Sequence, residues 1–128
     1  MDNQTLKNHA LSAQEKAYAP YSRFKVGAAI LGNDGNVYSG CNVENVAYPL
    51  GQCAEATAIG SMVNNACTKI DKIVIVSPND MLCFPCGGCR QKIAEFADKN
   101  TEIVMFSQQG KEKSVLLDEL LPFAFNMD

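Results

Sequence analysis

The sequence predicts an α/β fold in which helices cover a mixed β-sheet. Three observations support this prediction: a helical pattern near the N-terminus, a hairpin signal after it, and then alternating helical and strand-like segments. The chain has 128 residues, of which 47% are hydrophobic and 20% charged, as is typical of one globular domain. No repeat or linker divides it, so we expect a single domain over residues 1–128.

The N-terminal part of the chain predicts a helix followed by a hairpin. Apolar residues recur at helical spacing from Leu6 onward, behind a polar start at Asp2 that suits a helix cap. The segment at 19–22 contains proline and ends this helix. Two strand-like runs at 26–31 and 37–43 flank an Asp-Gly pair, which indicates a β-hairpin.

The remainder of the chain alternates between helical and strand-like patterns. In order, we predict a helix over about 53–65, a strand over 73–77, a helix over about 86–98, a strand over 103–106, a turn over 108–110 and a short strand and helix over 115–121. The strand at 73–77 is β-branched and apolar, which favours a buried position in the sheet. This alternation is the pattern of an α/β protein.

Charge and termini exclude several classes of partner. Eleven Lys and Arg against 14 Asp and Glu give a net charge of −3, which argues against nucleic acid because its binding depends on basic contacts to phosphate. The N-terminus lacks the basic and apolar regions of a signal peptide. The longest strongly apolar run, at 73–76, is too short to cross a membrane. We therefore expect a cytoplasmic protein that does not bind membranes.

The cysteines need a chemical explanation. The chain has six cysteines among 128 residues. This share is smaller than the about 8–10% that marks a disulfide scaffold. Cys83, Cys86 and Cys89 crowd into one short segment. In a reducing cytoplasm, clustered cysteines more often bind metal or perform redox chemistry than form disulfides.

Two short motifs at predicted strand-to-helix transitions supply three thiolates. Cys86 and Cys89 are three residues apart at a helix start, so both sulfurs project from one face. A helix N-terminus also favours the thiolate form that binds metal. Cys53, at the start of another predicted helix, supplies a third sulfur. Three protein ligands leave one position of a tetrahedral zinc open, which is the catalytic arrangement.

Glu55 indicates what such a site would do. Zinc lowers the pKa of a bound water to about 7, and a nearby carboxylate can take up its proton and pass it on. The pattern of a zinc ligand, one residue and Glu, followed downstream by Pro-Cys-x-x-Cys, is the signature of zinc nucleobase deaminases, and three cysteines are an allowed ligand set.

Other readings of the cysteines remain open. The Cys-x-x-Cys pair could be a redox dithiol without zinc, and a non-catalytic zinc module would not need Glu55. Cys83 has the spacing of a further ligand, but a fourth thiolate would close the site to water, so we expect a packed thiol. We also expect Cys41 and Cys67 to be core thiols.

Several segments beyond the zinc motifs match one family. They are residues 17–22, 24–29, 40–45, 53–55, 85–91 and 120–122. On these segments the chain resembles a cytidine deaminase of the small, homotetrameric, all-cysteine type over essentially its full length. The resemblance implies a three-layer α-β-α fold with a five-stranded mixed sheet. It also implies zinc-dependent hydrolytic deamination of cytidine and deoxycytidine in pyrimidine salvage.

The resemblance further implies roles for individual residues. Zinc would be held by Cys53, Cys86 and Cys89, and Glu55 would shuttle protons. Substrate contacts would come from Phe24 on the base, the backbone amide of Ala54 on the pyrimidine O2, Asn42 and Glu44 on the ribose hydroxyls, and Tyr48 and Phe125 from neighbouring subunits. Asn42 and Glu44 are two positions apart, so on a strand they point the same way. The very apolar segment at 120–125 independently favours burial at an interface.

Two positions depart from the family pattern. Position 56 is usually arginine, which donates to the zinc-bound thiolates, but here it is Ala56. Three thiolates on Zn²⁺ leave a net charge of −1, which makes a bound water harder to deprotonate. We therefore expect the helix N-termini or Arg90 to compensate. Position 84 is Phe84 rather than a small residue, and the family uses only its backbone carbonyl.

Two related deaminase classes fit less well. A deaminase of aminonucleoside antibiotics would share the zinc motifs, but Phe24, Asn42 and Glu44 argue for a pyrimidine nucleoside. In nucleic-acid deaminases the first zinc ligand is usually histidine, and this chain also lacks a basic footprint.

Overall fold

The computed structural model describes residues 1–127, and its elements alternate as the sequence predicts. In chain order they are α1 (Asn3–Gln14), β1 (Gly27–Gly32), β2 (Val37–Cys41), a 3-10 helix (Tyr48–Leu50), α2 (Ala54–Asn64), β3 (Ile70–Val76), α3 (Gly87–Phe96), β4 (Glu102–Phe106), β5 (Glu112–Leu116) and α4 (Leu117–Leu120). None of the helices in this part of the chain is long and apolar enough to span a membrane.

The five strands form one mixed sheet in the order β2-β1-β3-β4-β5. β3 and β4 run parallel, and the other three pairings are antiparallel. The central strands β1, β3 and β4 are buried along most of their length, because helices cover both faces of the sheet. β5 is an edge strand with three exposed polar residues at its start.

Two separate apolar cores show which helix covers which face. On one face, Leu6 and Ala10 of α1 pack against Val74 and Val104 of the central strands. On the other, residues of α2 and α3 pack against the alternate residues of the same strands, as Met62 and Ile93 do. Successive side chains of a strand point to opposite faces, so the two cores are the two sides of one sheet. The three-layer α-β-α fold is therefore confirmed.

The element predictions hold, and the differences lie at element ends. Asp2 caps α1 by accepting a hydrogen bond from the backbone N–H of Thr5 at 2.8 Å. The hairpin turn has Gly35 in the left-handed region, at φ +84°. β3 begins three residues before the predicted start, and β5 begins at Glu112 because its first residues pair with β4 although they are exposed.

A glycine on β2 lets α2 lie directly on the sheet. A Cβ atom at Gly40 would stand only 2.4 Å from the backbone nitrogen of Ala58 and 2.8 Å from the carbonyl oxygen of Ala54. Only glycine permits so close an approach of helix and strand backbone. This contact fixes the first turn of α2 relative to β2.

Candidate active site

The starts of α2 and α3 meet at one place. Cys53 is the N-cap residue of α2 and Cys86 is the N-cap residue of α3, both in extended conformation. Their sulfurs are 3.8 Å apart. Cys89 follows within the first turn of α3 and is buried. The two sequence motifs, separated by more than 30 residues, therefore form one cluster.

The cluster fits a zinc ion. The sulfurs of Cys53, Cys86 and Cys89 all lie within 4.8 Å of one another. Two sulfurs bound to one tetrahedral zinc at about 2.3 Å each are about 3.8 Å apart, which is the separation of Cys53 and Cys86. Both N-cap sulfurs also lie at the positive end of a helix, where a negative charge is favoured. No other group of this kind occurs among residues 1–127.

The pKa values of the thiols in the cluster shift in opposite directions. Hydrogen bonds from Cys89, and then from Cys86, lower the pKa of Cys53 to about 6 although partial burial opposes this. The pKa of Cys89 is raised, chiefly because it donates to Cys53 and also because it is buried. Metal binding releases the thiol protons, and the three sulfurs that would receive the ion already lie together.

Glu55 is a buried carboxyl in the first turn of α2. Its residue surface is only 4% exposed, and burial raises its pKa to about 7, with a smaller contribution from the negative charge of Cys53. A carboxyl that titrates near neutral pH can both accept and donate a proton during turnover. It follows Cys53 by two residues, so the same helix start positions both groups.

The other cysteines lie outside the cluster. Cys83 is half-buried, and burial raises the pKa of its thiol to about 11. Cys67 is buried in the core beneath the hairpin, where its sulfur contacts the side-chain oxygen of Asn33 at 3.5 Å. Cys41 ends β2 and is half-buried. All six cysteines of the chain are free thiols.

Arg90 supports the backbone around the cluster. Its Nε donates to the carbonyl oxygen of Pro85 at 2.8 Å, and its Nη1 donates to the carbonyl oxygen of Leu120 at 2.9 Å. The guanidinium thus ties the turn before Cys86 to the end of α4. With two of its three nitrogens on carbonyl oxygens, Arg90 holds the cysteine turn in place, whereas the helix N-termini supply positive charge at the sulfurs.

An extended segment beside the cluster carries Asn42 and Glu44. Between these two residues, Val43 exchanges backbone hydrogen bonds of 2.9 and 2.8 Å with Gln52, the residue before Cys53. On its other side the segment pairs with Tyr18. The backbone thus holds the predicted ribose-binding residues next to the start of α2.

The Asn42 side chain connects this segment to the start of β1. Its Oδ1 accepts a hydrogen bond from the Val26 N–H at 2.9 Å, and its Nδ2 donates to the carbonyl oxygen of Phe24 at 2.8 Å. Each amide atom retains capacity for another hydrogen bond. Asn42 therefore positions Phe24, whose own side chain is 36% exposed.

The Glu44 carboxylate faces a small cavity. It accepts hydrogen bonds from the Ser22 hydroxyl, from the Ser22 N–H at 3.1 Å and from the Tyr21 N–H at 3.0 Å, and these lower its pKa. The cavity has a volume of about 240 Å³ and is also lined by Tyr48. Sequence reasoning did not assign Ser22 a role, because its partner Glu44 is 22 residues away in the chain.

The remaining predicted contact residues are dispersed. Ala54 is the first residue of α2, where helix geometry leaves the backbone N–H without an intrahelical acceptor. The Tyr48 ring meets the Tyr21 ring edge-on at 6.1 Å. Phe125 lies near the C-terminal end, where its carbonyl oxygen accepts from Gln91 of α3 at 3.2 Å and its residue surface is 73% exposed. Phe125 is not among the residues that line the Glu44 cavity of its own chain.

Comparisons with known proteins agree with this geometry. The family model for the zinc-binding region of cytidine and deoxycytidylate deaminases matches residues 1–105. A cytidine deaminase from Halalkalibacterium halodurans is 41% identical over all of this chain and 97% of its own length. A blasticidin-S deaminase from Bacillus cereus is 31% identical over 81% of this chain and 79% of its own length.

A solved structure gives the same result for the fold. The crystal structure of a cytidine deaminase from Burkholderia pseudomallei has a TM-score of 0.93 and 42% identity to this chain, covering 98% of it and all of that chain. Both sequence and fold therefore lead to one conclusion: this chain belongs to the cytidine and deoxycytidylate deaminase family with its zinc-binding region.

Proposed function

We propose that this chain catalyses the hydrolytic, zinc-dependent deamination of cytidine and deoxycytidine to uridine and deoxyuridine, with release of ammonia. One observation carries the proposal: three cysteine sulfurs lie within 4.8 Å of one another at two helix N-termini, and the buried carboxyl of Glu55 follows Cys53 by two residues. This is the constellation of zinc nucleobase deaminases. Recovery of uridine from cytidine makes pyrimidine salvage its metabolic role.

Cys53, Cys86 and Cys89 would hold the zinc ion. When bound, zinc acts as a Lewis acid that makes a water molecule nucleophilic near neutral pH. Three sulfur ligands would leave a fourth position of a tetrahedral zinc free for that water. Cys83 is outside the group of sulfurs, which is consistent with an open site rather than a closed structural one.

Glu55 moves the protons of the reaction. Its carboxylate accepts a proton from the attacking water and donates it to N3 of the cytosine ring. The oxygen of that water bonds to C4, and Glu55 then takes the remaining proton from the new hydroxyl and carries it to the amine. The C4–N bond breaks, the amino group leaves as ammonia, and the oxygen becomes O4 of uridine. The pKa of about 7 that burial gives Glu55 allows both steps near neutral pH.

The segment around Asn42 would bind the nucleoside. Asn42 and Glu44 bind the ribose hydroxyls, and Glu44 is suited to accept because its lowered pKa keeps it ionised at neutral pH. Phe24, held by Asn42, packs against the base. The backbone N–H of Ala54 donates to the pyrimidine O2 at the N-terminus of α2.

A homotetramer would complete each site. Tyr48 and Phe125 are 75% and 73% exposed in the isolated chain, and Phe123 is fully exposed. Phe123 and Phe125 line one surface cavity, and large apolar side chains exposed together mark an interaction surface. We propose that Tyr48 and Phe125 contact the nucleoside bound by a neighbouring subunit. The free state of all six cysteines and the net charge of −3 support a cytoplasmic enzyme that acts on nucleosides rather than nucleic acid.

The test is an assay of product formation with matched variants. Purified protein is assayed for bound zinc, for uridine and for ammonia with cytidine and then deoxycytidine as substrate. We expect Glu55→Gln to bind zinc like the wild type and to lose at least about a thousandfold in turnover. A zinc-loaded wild type that deaminates neither nucleoside would contradict the function, and an active Glu55→Gln protein would contradict the mechanism.

Shared sites predict complementation between inactive chains. Glu55→Gln and Phe125→Ala proteins are each assayed alone and after unfolding and refolding together. In mixed tetramers some sites combine an intact Glu55 with an intact Phe125 from the neighbour, so activity should exceed the sum of the separate proteins. A mixture no more active than the sum of the separate proteins would contradict a site shared between subunits. Sedimentation of the wild type as a monomer would contradict it as well.

The same assay separates the alternative functions. Blasticidin S is included as substrate because a blasticidin-S deaminase is among the relatives, and faster turnover of it than of cytidine would favour the antibiotic class. A thiol redox protein would instead reduce a disulfide substrate through Cys86 and Cys89 without zinc.

A further inference from the structure

A groove between α2 and α3 opens beside the cysteine cluster. It has a volume of about 440 Å³, and its walls include Gln52 and Ala56 on one side and Gln91 and Lys92 on the other. Gln52 directly precedes Cys53, and Gln91 is two residues beyond Cys89. Both walls therefore carry residues that adjoin predicted zinc ligands in the chain.

Lys92 is the cation of this groove. It follows Cys89 by three residues, or about one turn of α3, so the two side chains are neighbours on the helix surface. Lys92 is exposed, and none of the ion pairs found among residues 1–127 involves it. Glu95 is the acidic residue that also lines the groove, one further turn along α3. Ala56 presents only a methyl group from the opposite wall.

The position of Lys92 places a cation next to the ligand residues. It shares the groove with Gln52, which directly precedes Cys53, and on α3 it follows Cys89 by three residues. Arg90, by contrast, donates to the carbonyl oxygens of Pro85 and Leu120 and does not line this groove. Lys92 is thus the basic side chain that lines the groove adjoining the predicted zinc ligands.

We propose that Lys92 is the electrostatic partner of the three-cysteine zinc site, with its ammonium group in the α2–α3 groove offsetting the excess negative charge of the thiolates. Three thiolates exceed the charge of Zn²⁺ by one, so a nearby cation favours uptake of the metal. The inference rests on the proposed function only in requiring that Cys53, Cys86 and Cys89 bind zinc. Lys92 acts here as a positioning residue through its charge and touches neither substrate nor metal.

Zinc affinity at two ionic strengths tests this role without any assay of activity. Metal-free wild type and Lys92→Gln compete for zinc with a chromophoric chelator at low and at high salt. We expect Lys92→Gln to bind zinc about two- to fivefold more weakly at low salt, the range for one exposed charge. The difference should shrink at high salt, because ions screen exposed charges. A merely structural effect would not depend on salt.

Matched variants isolate the charge. Lys92→Arg should bind zinc like the wild type, and Lys92→Met, which keeps an unbranched apolar stem, should behave like Lys92→Gln. Lys113→Gln removes the same charge from the exposed edge strand β5 and should leave affinity unchanged. Adding Ala56→Arg to Lys92→Gln places a cation on the other wall of the groove and should restore affinity.

The results that would contradict the role of Lys92 can be told from those that would contradict the proposed function. Equal zinc affinity of wild type and Lys92→Gln at low salt would overturn the role of Lys92 while leaving the deaminase function intact. An equal loss in Lys113→Gln, or a loss that salt does not reduce, would overturn it as well. A wild type that takes up no zinc would overturn both this inference and the proposed function.

Discussion

The contact between Gly40 and α2 predicts the effect of a single added methyl group. In Gly40→Ala the new Cβ would stand 2.4 Å from the backbone nitrogen of Ala58 and 2.8 Å from the carbonyl oxygen of Ala54. Both atoms belong to the helix backbone, so no side-chain rotation can relieve the overlap. The helix must instead move away from β2.

The required displacement sets the magnitude. Ordinary contact begins at 3.4 Å, so the helix must shift by about 1 Å. Overpacking of a well-packed interior costs about 1–3 kcal/mol, and we expect about 3 kcal/mol because backbone must move. The shift also displaces Cys53 and Glu55, which begin α2, from Cys86. A misplacement of about 1 Å can reduce turnover about a hundredfold.

Urea unfolding and steady-state kinetics with cytidine measure both effects. Gly60→Ala is the matched control, because Gly60 lies in the same helix and a Cβ there meets no atom within 4 Å. It should stabilise the protein by about 0.5–1 kcal/mol, since alanine is the better helix former, and leave turnover unchanged. If Gly40→Ala were as stable and as active as the wild type, the close contact would not have the expected effect. An equal loss of stability and turnover in Gly60→Ala would also refute the expectation.

Three other side chains give predictions of the same kind. Burial raises the pKa of Glu55 from 4.5 to about 7, so the folded metal-free protein holds this proton more tightly than the unfolded chain. That stability is complete below about pH 4.5 and is lost as pH rises through 7, by up to about 3 kcal/mol; in urea titrations at several pH values, Glu55→Gln should lack this loss. Cys83→Ser should retain one zinc per chain in elemental analysis, whereas a metal-free product would make Cys83 a ligand. Glu44→Gln should lower kcat/KM for cytidine about ten- to a hundredfold, mainly through KM, since it weakens a charged hydrogen bond to the ribose; unchanged kinetics would remove Glu44 from the substrate site.

Local patterns were sufficient to predict most of the fold. The Asp2 cap, the Asp-Gly hairpin and the alternating helices and strands depend on neighbouring residues, and each was found where expected. The early part of β5 could not be predicted, because Glu112 to Ser114 is exposed and polar and owes its strand conformation to pairing with β4. Tertiary pairing, not local propensity, decides such an edge strand.

The candidate site, like the fold, could be predicted only in part from the sequence. Cysteine spacing at two helix starts predicted a metal cluster, and the structure brings those sulfurs together. The partners of Glu44 and Arg90 were not foreseen, because Ser22 and Leu120 lie 22 and 30 residues away in the chain. Lys92 has no motif at all. Its spacing of three residues from Cys89 is local, but its place in one groove with Gln52 and Ala56 depends on how α2 and α3 pack.

Zinc titration of the metal-free wild type, with uridine formation from cytidine measured at each point, tests the central claim most directly. We predict that turnover rises in proportion to bound zinc and levels off at one zinc per chain, since residues 1–127 contain one three-cysteine cluster. Uridine formation by metal-free protein, or binding of one zinc per chain without any uridine, would contradict it.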